Sequence, residues 1–285
     1  TSYDYDAPIN EQGRPAAKYF MLRDLIAKYV SYTIPGLPAP VAAIEIPAVT
    51  MKKTHNLFNY DLPVIHTPQP MPLESFGQNQ GLVVYKTTLT GHKSGKLKIW
   101  EPHDYALVFL NGVFIDTVYR DGGNWEVLLP KTTTSFPVLE IVVEGMGHIN
   151  FAQFMIDRKG ITDRVTLNGM TLMNWETRLL PLDEKFIQQR QPMNRIKFRD
   201  DMPCNFFEGQ FTLTETGDTY FDMSRYSKGM VYINGHLLGR YWNIGPQQRL
   251  YCPAPWLKKG SNTIVVFDFF EILPASIAGL QQQND

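Results

Sequence analysis

Hydrophobic positions along this chain follow two different periods. Near the start, Tyr19, Leu22, Leu25, Ile26, Tyr29 and Val30 recur at helical spacing. Asn10-Glu11-Gln12-Gly13-Arg14-Pro15 before them is loop chemistry, and Pro15 suits a first helical turn, where its missing N–H costs nothing. Pro35, Pro38 and Pro40 end the run. The spacing predicts one helix, over 15–31, with an apolar stripe that needs a partner surface. From Ile44 onward the pattern is that of strands. Leu82-Val83-Val84-Tyr85, Leu107-Val108-Phe109-Leu110, Ile141-Val142-Val143 and Ile264-Val265-Val266-Phe267 are short apolar, β-branched runs separated by turn residues. Two runs end in Asn-Gly, which accepts the positive φ angles of a type I′ hairpin turn.

Those two turns belong to a longer repeat. Asn111-Gly112 and Asn234-Gly235 lie 123 positions apart. The same shift carries Val108-Phe109-Leu110 onto Val231-Tyr232-Ile233, Pro130 onto Pro253, and Ile141-Val142-Val143 onto Ile264-Val265-Val266. Separate landmarks that keep one offset without a gap indicate a duplicated domain, because solenoid repeats run to only about 20–50 residues. The expected fold is therefore mostly β, with two antiparallel sandwiches of one topology.

Composition narrows the function classes. The 285 residues are 44% hydrophobic, enough for real cores, and the net charge of -1 offers no field for nucleic acid or a strongly charged partner. No stretch of about 18 apolar residues is present, so no membrane span is expected. Aromatics make up 13%, which suits β cores and sugar-stacking surfaces alike. Trp125, Trp242 and Trp256 each border a predicted core strand, so packing is their expected role. Two cysteines, Cys204 and Cys252, can pair in an oxidising compartment but define no disulfide framework, and Cys252 reads as one more strand residue. The six histidines form no His-x-x-x-His pair and the cysteines have no metal-ligand spacing. No nucleophile elbow or phosphate-cradling glycine loop occurs. No metal and no cofactor is expected.

Several motifs carry a family resemblance. Thr1-Ser2-Tyr3-Asp4-Tyr5-Asp6-Ala7-Pro8 and Lys18-Tyr19-Phe20-Met21-Leu22-Arg23 resemble the last strand and helix of the (β/α)8 barrel of family 35 glycoside hydrolases, the β-galactosidases. Gly81-Leu82-Val83-Val84-Tyr85-Lys86-Thr87 and His103-Asp104-Tyr105-Ala106 resemble that family's first jelly roll. Gly229-Met230-Val231-Tyr232-Ile233-Asn234-Gly235 and Leu238-Gly239-Arg240-Tyr241-Trp242-Asn243-Ile244-Gly245-Pro246-Gln247 resemble its second. Val143-Glu144-Gly145-Met146-Gly147-His148-Ile149-Asn150-Phe151 is similar to a loop that usually reads Val-Glu-Asn-Met-Gly-Arg-Val-Asn-Tyr, with His148 where the family has Arg and Phe151 where it has Tyr. The resemblance implies a barrel remnant over 1–33, then galactose-binding-like jelly rolls over 34–160 and 161–285.

The implied activity is retaining hydrolysis of terminal β-galactosyl groups by the full enzyme. That reaction needs two carboxyl groups about 5–5.5 Å apart. In the family both are glutamates on earlier barrel strands, the acid/base after an Asn. Asn10-Glu11 has no apolar strand leading into it, and Glu140 and Glu144 alternate onto the outer face of a strand, where solvated surface is the expected reading. So no catalytic residue is expected here, and the chain by itself should be inactive. The resemblance makes Tyr5 a substrate-pocket residue, since barrel sites lie at the C-terminal ends of strands. It makes Phe151 a residue facing the leaving-group side. The implied partners are the rest of the barrel, a galactoside or glycan through the full enzyme, and further copies of the chain. The implied location is secreted, periplasmic or lysosomal, with any leader upstream of Thr1. Two other readings are an autonomous carbohydrate-binding module and a structural pair that mediates oligomerisation.

Overall fold

Hairpins dominate the computed structural model, which describes residues 6–151, 153, 155–189, 201–245 and 248–283. The chain opens with helix α1 (Ala17–Ile26) and then turns to strands. In order these are β1 (Ile46–Val49), β2 (Met51–Asn56), β3 (Ile65–Thr67), β4 (Gly81–Thr88), β5 (Gly95–Ile99), β6 (Pro102–His103), β7 (Tyr105–Leu110), β8 (Val113–Tyr119), β9 (Glu126–Leu129) and β10 (Val138–Gly145). They continue as β11 (Gly160–Ile161), β12 (Val165–Leu167), β13 (Met170–Thr171), β14 (Trp175–Leu180), β15 (Asn205–Leu213), β16 (Thr219–Asp222), β17 (Lys228–Ile233), β18 (His236–Trp242), β19 (Arg249–Cys252), β20 (Gly260–Asp268) and β21 (Ile277–Leu280). A short helix α2 (Glu184–Gln189) follows β14.

Two units result. One comprises residues 56–203, the other residues 1–55 with 204–285. In the first, sheet β3-β14-β4-β10-β7-β8 faces sheet β13-β12-β5-β9 across a core that includes Val83, Tyr85, Leu97, Ile99, Val108, Ile141, Val143, Val165 and Trp175. In the second, sheet β18-β17-β20-β15-β2 faces sheet β1-β21-β16-β19 across Phe207, Phe221, Val231, Ile233, Ile264, Val266 and Ile277. The central pairings are antiparallel. Dispersion and burial of these apolar faces hold each sandwich together; each Leu, Ile, Val or Phe contributes about 1.5–3 kcal/mol.

The predicted repeat is physical. Strands β8 and β18 begin at 113 and 236, and β9 and β19 at 126 and 249, each pair at the offset of 123. The bulge between β7 and β8 falls after Val108, and that between β17 and β18 after Val231. Asn111 (φ 52°) with Gly112 (φ 71°), and Asn234 (φ 51°) with Gly235 (φ 88°), form left-handed turns at matching places. In both, the Asn amide also clamps the start of a later strand: Val138 N–H donates to Asn111 Oδ1 at 2.9 Å, and Thr263 N–H to Asn234 Oδ1 at 3.0 Å.

The unit bounds differ from 34–160 and 161–285. Strands β12 and β14 complete the first sandwich by pairing with β5 and β4. Strands β1 and β2, which precede that sandwich in the chain, complete the second: β1 pairs with β21 and β2 lies beside β15. The first sandwich is thus inserted between β2 and β15 of the second.

Three local expectations change. The helix is shorter than 15–31, and Pro15 lies before it in a bridge to Ile9. None of its residues is buried: Met21 is 72% exposed and Leu25 51%. Helix α2 was not anticipated; its sign in the sequence is Asp183, whose Oδ1 accepts from Phe186 N–H at 2.7 Å as an N-cap. Glu144, expected in solvent, is fully buried, and Glu140 is half-buried. The outer face of β10 is covered, as Phe58 stacking edge-on against Phe109 of neighbouring β7 illustrates. Both cysteines are free and buried, and burial pushes the Cys252 thiol up to about 12.

Candidate functional site

The loop after β10 is where sequence expectation and structural detail meet. It leaves the sheet at Gly145, where a Cβ would lie 3.1 Å from Lys159. The side chain of Lys159 passes through that gap. It reaches a polar cluster that the short β6–β11 pairing assembles, with Gly160 opposite His103 and Ile161 opposite Pro102. Gly160 itself has φ 100°, and a Cβ there would meet the Tyr85 hydroxyl at 2.4 Å, so only glycine fits.

Lys159 is 1% exposed. Its Nζ donates to Asp157 Oδ2 at 2.7 Å and to both oxygens of Asp104 at 3.0 and 2.9 Å. Arg120 completes the cage, donating to Asp157 Oδ1 at 2.8 Å and Asp104 Oδ1 at 3.0 Å. His103 lies with Nδ1 3.2 Å from Asp157 and Nε2 3.3 Å from Glu101. The remaining acceptors hold the loop: Asp104 Oδ2 takes Met146 N–H at 2.7 Å and Asp157 Oδ2 takes Ile149 N–H at 3.2 Å. Glu74 adds a third anchor, 2.9 Å from His148 Nε2, and accepts Lys159 N–H. Buried charges persist only when paired and hydrogen-bonded, and here both conditions are met.

Burial would raise the Asp157 carboxyl, but the Lys159 ammonium and Arg120 outweigh it and hold that carboxyl well below the usual carboxylate range. A glycosidase acid needs the opposite shift. Both oxygens of Asp104 and of Asp157 are taken by Lys159, Arg120 or loop N–H groups, so the two carboxylates hold the loop. His103, Asp104 and Asp157 also lie close enough to share a metal ion. The ammonium of Lys159 already sits among these carboxylates as their cation, so the donor set does not fit a resident metal.

The clamp presents apolar side chains among polar ones. Ile149 is 38% exposed, Phe151 81%, Met155 61% and Ile156 91%. Of the two expected substrate residues, Phe151 thus stands at the surface end of the anchored loop, and Tyr5 lies outside the described residues. The tryptophans pack as expected. Trp125 and Trp256 lie against the two cores, and Lys228 Nζ sits 4.5 Å from the Trp242 ring. The clamp has no signature in the sequence: His103-Asp104 belongs to a family-like motif, but nothing local marks Arg120, Asp157 or Lys159 as its partners.

Residues 70–183 match the family model described as the first all-beta domain of beta-galactosidase, and residues 204–262 match its galactose-binding domain. The chain belongs to the β-galactosidase family. It carries the all-β, C-terminal domains, and the clamp lies in the first of them. Beta-galactosidase 1 of Dictyostelium discoideum is 30% identical, over 94% of this chain and 44% of its own length. A beta-galactosidase of Xanthomonas manihotis is 35% identical, over 88% of this chain and 41% of its own. Human beta-galactosidase-1-like protein 2 is 33% identical, over 94% and 43%. The chain therefore spans less than half the length of these β-galactosidases.

Proposed function

We propose that this chain is the non-catalytic C-terminal region of a retaining, family 35 β-galactosidase, and that it supports the catalytic barrel and shapes the mouth of its active site. The observation that carries this reading is α1. Its Leu22, Leu25 and Ile26 are 41%, 51% and 48% exposed, and Tyr29 just beyond it is 82% exposed. Such a stripe forfeits several burial contributions of about 1.5–3 kcal/mol each unless another surface covers it. In this reading the barrel covers it, and Tyr5 and Phe151 face the galactoside in the assembled enzyme.

The test is complementation. The pure chain should not cleave a chromogenic β-galactoside, because it lacks a paired nucleophile and acid. Mixed with the separately produced N-terminal part of a full-length relative, it should bind and restore turnover. Leu22→Glu with Ile26→Lys should abolish that binding. Turnover by the pure chain that is lost on changing one of its own carboxylates overturns the proposal. So does slow hydrogen exchange across Tyr19 to Tyr29 in a proven monomer, which would mean that the chain covers this helix itself.

A further inference from the structure

The first sandwich has a cleft of about 440 Å³ that none of the functional reading above uses. Its walls come from the end of β4 with the loop after it, and from the β12–β13 hairpin with the start of β14. Volumes of about 300–1,000 Å³ with a few fixed polar groups are usual for small-ligand sites.

The lining is mainly polar, with Lys86, His92, Asn174, Glu176 and four threonines, and two of these groups are held in place. Across three neighbouring strands, Glu140, Lys86 and Glu176 stand in one row, Lys86 opposite both carboxylates. Lys86 Nζ lies 3.5 Å from Glu176 Oε2, with side chains 30% and 34% exposed, and Arg178 donates to the same oxygen at 3.3 Å. Glu176 is thus oriented from its sheet side while remaining open to the cleft. Asn174 is the second fixed group. It sits at φ 62°, a left-handed conformation that Asn adopts more readily than most residues other than glycine. Its backbone is held there: its carbonyl accepts from Thr87 Oγ1 at 3.1 Å, and its N–H donates to Pro68 O at 2.9 Å. The backbone is fully engaged, which leaves the exposed side-chain amide to the cleft rim. Beside these groups lie the apolar flanks of Met170, 61% exposed, and Met173, 43% exposed.

We infer that this cleft is a non-catalytic site for a short, neutral oligosaccharide. The adjacent ammonium and carboxylate cancel each other's charge, so neither an anion nor a cation is favoured. Each instead pairs with a hydroxyl that both donates and accepts. The Asn174 amide offers a donor and an acceptor together. Exposed methionine surface suits the C–H face of a pyranose, which the polar groups alone would leave unmatched. This site is separate from the anchored loop, and the inference does not depend on the barrel-supporting reading. A complementation failure would leave it standing, and its own failure would leave complementation untouched.

The experiment titrates the full chain, carrying ¹³C-methyl methionine, with β-1,4-galactobiose, lactose and cellobiose, and separately with inorganic phosphate. Saturable shifts of the Met170 and Met173 methyl signals are expected with at least one sugar and not with phosphate. Glu176→Gln and Asn174→Gly should each weaken that sugar by about tenfold, the value of a lost hydrogen bond or two. Glycine accepts the left-handed conformation at position 174, so Asn174→Gly keeps the test open if Glu176→Gln disturbs the sheet. No saturable shift with any of the three sugars overturns the inference. So does saturation by phosphate, or sugar binding that Asn174→Gly leaves unchanged.

Discussion

The two sandwiches share the order of their central strands but solve the same corner with opposite chemistry. In each, a core strand ends and a loop must be tied to the start of its neighbour. In the second sandwich the tie is Asp268, the last residue of β20. Its Oδ1 accepts Phe270 and Glu271 N–H at 2.7 and 2.8 Å, and its Oδ2 accepts Ser227 N–H at 3.0 Å and the Tyr241 hydroxyl at 2.9 Å. One repeat earlier, position 268 corresponds to Gly145 and Ser227 to Asp104. There the carboxylate has changed strands: Asp104 reaches across to Met146 N–H, and glycine at 145 makes room for Lys159. A carboxylate met by neutral donors is pushed up by burial, as Asp268 is, despite its hydrogen bonds. Asp157, one of the carboxylates around Lys159 and Arg120, is held down instead. The ionic version carries the longer loop, and both loops expose apolar side chains, Phe151 and Ile156 in one and Ile272 and Leu273 in the other. Duplication conserved the sheet and left the corner free to diverge.

Removing the central cation should have the largest effect. Lys159→Met leaves Asp104 and Asp157 with Arg120 as the cation that still bridges them in a largely buried site, at a cost of about 3–5 kcal/mol. Denaturant unfolding followed by hydrogen exchange should place that loss in residues 56–203 and spare residues 204–285. An equal loss in both would mean that the two sandwiches unfold as one. Asp268→Asn should cost less, about 1–3 kcal/mol: burial disfavours the charge that is lost, while the amide nitrogen no longer accepts the N–H and hydroxyl donors of one carboxylate oxygen. A larger loss than that of Lys159→Met would break the contrast between the two corners.

Acid should separate the units by sign. The folded pKa of Asp157 lies below its unfolded value, so its stabilisation is present above the unfolded pKa of about 3.9 and is lost as pH falls through the folded pKa. Asp268 has the opposite shift. Its contribution is full below the unfolded pKa and is lost as pH rises through the folded pKa. Below about pH 4, pepsin should therefore cut first within 56–203. First cuts within 204–283 would reverse the assignment. The smallest effect belongs to Phe151→Ala. With its side chain mostly in water, the change should alter the melting free energy by less than about 0.5 kcal/mol. A larger loss would show that the loop tip helps support the clamp instead of only being supported by it.

Much of this protein was legible in one dimension. Alternating β-branched runs marked the core strands, because burial selects one face of a strand every second residue. Asn111-Gly112 and Asn234-Gly235 marked the hairpins, because few residue pairs accept two left-handed conformations. The constant offset marked the duplication. Motifs reaching nearly the whole chain marked the family. Tertiary structure alone decided the rest. Strand periodicity names a face but not its neighbour, so nothing local shows that Met51–Asn56 lies beside Asn205–Leu213 or that one sandwich is inserted in the other. Alternation also placed Glu144 on the outer face without revealing that this face is covered. The clamp draws Glu74, Asp104, Arg120, Asp157 and Lys159 from separate loops and strands. Each alone reads as an ordinary surface charge, and only their convergence in a dry site turns them into the support of the loop.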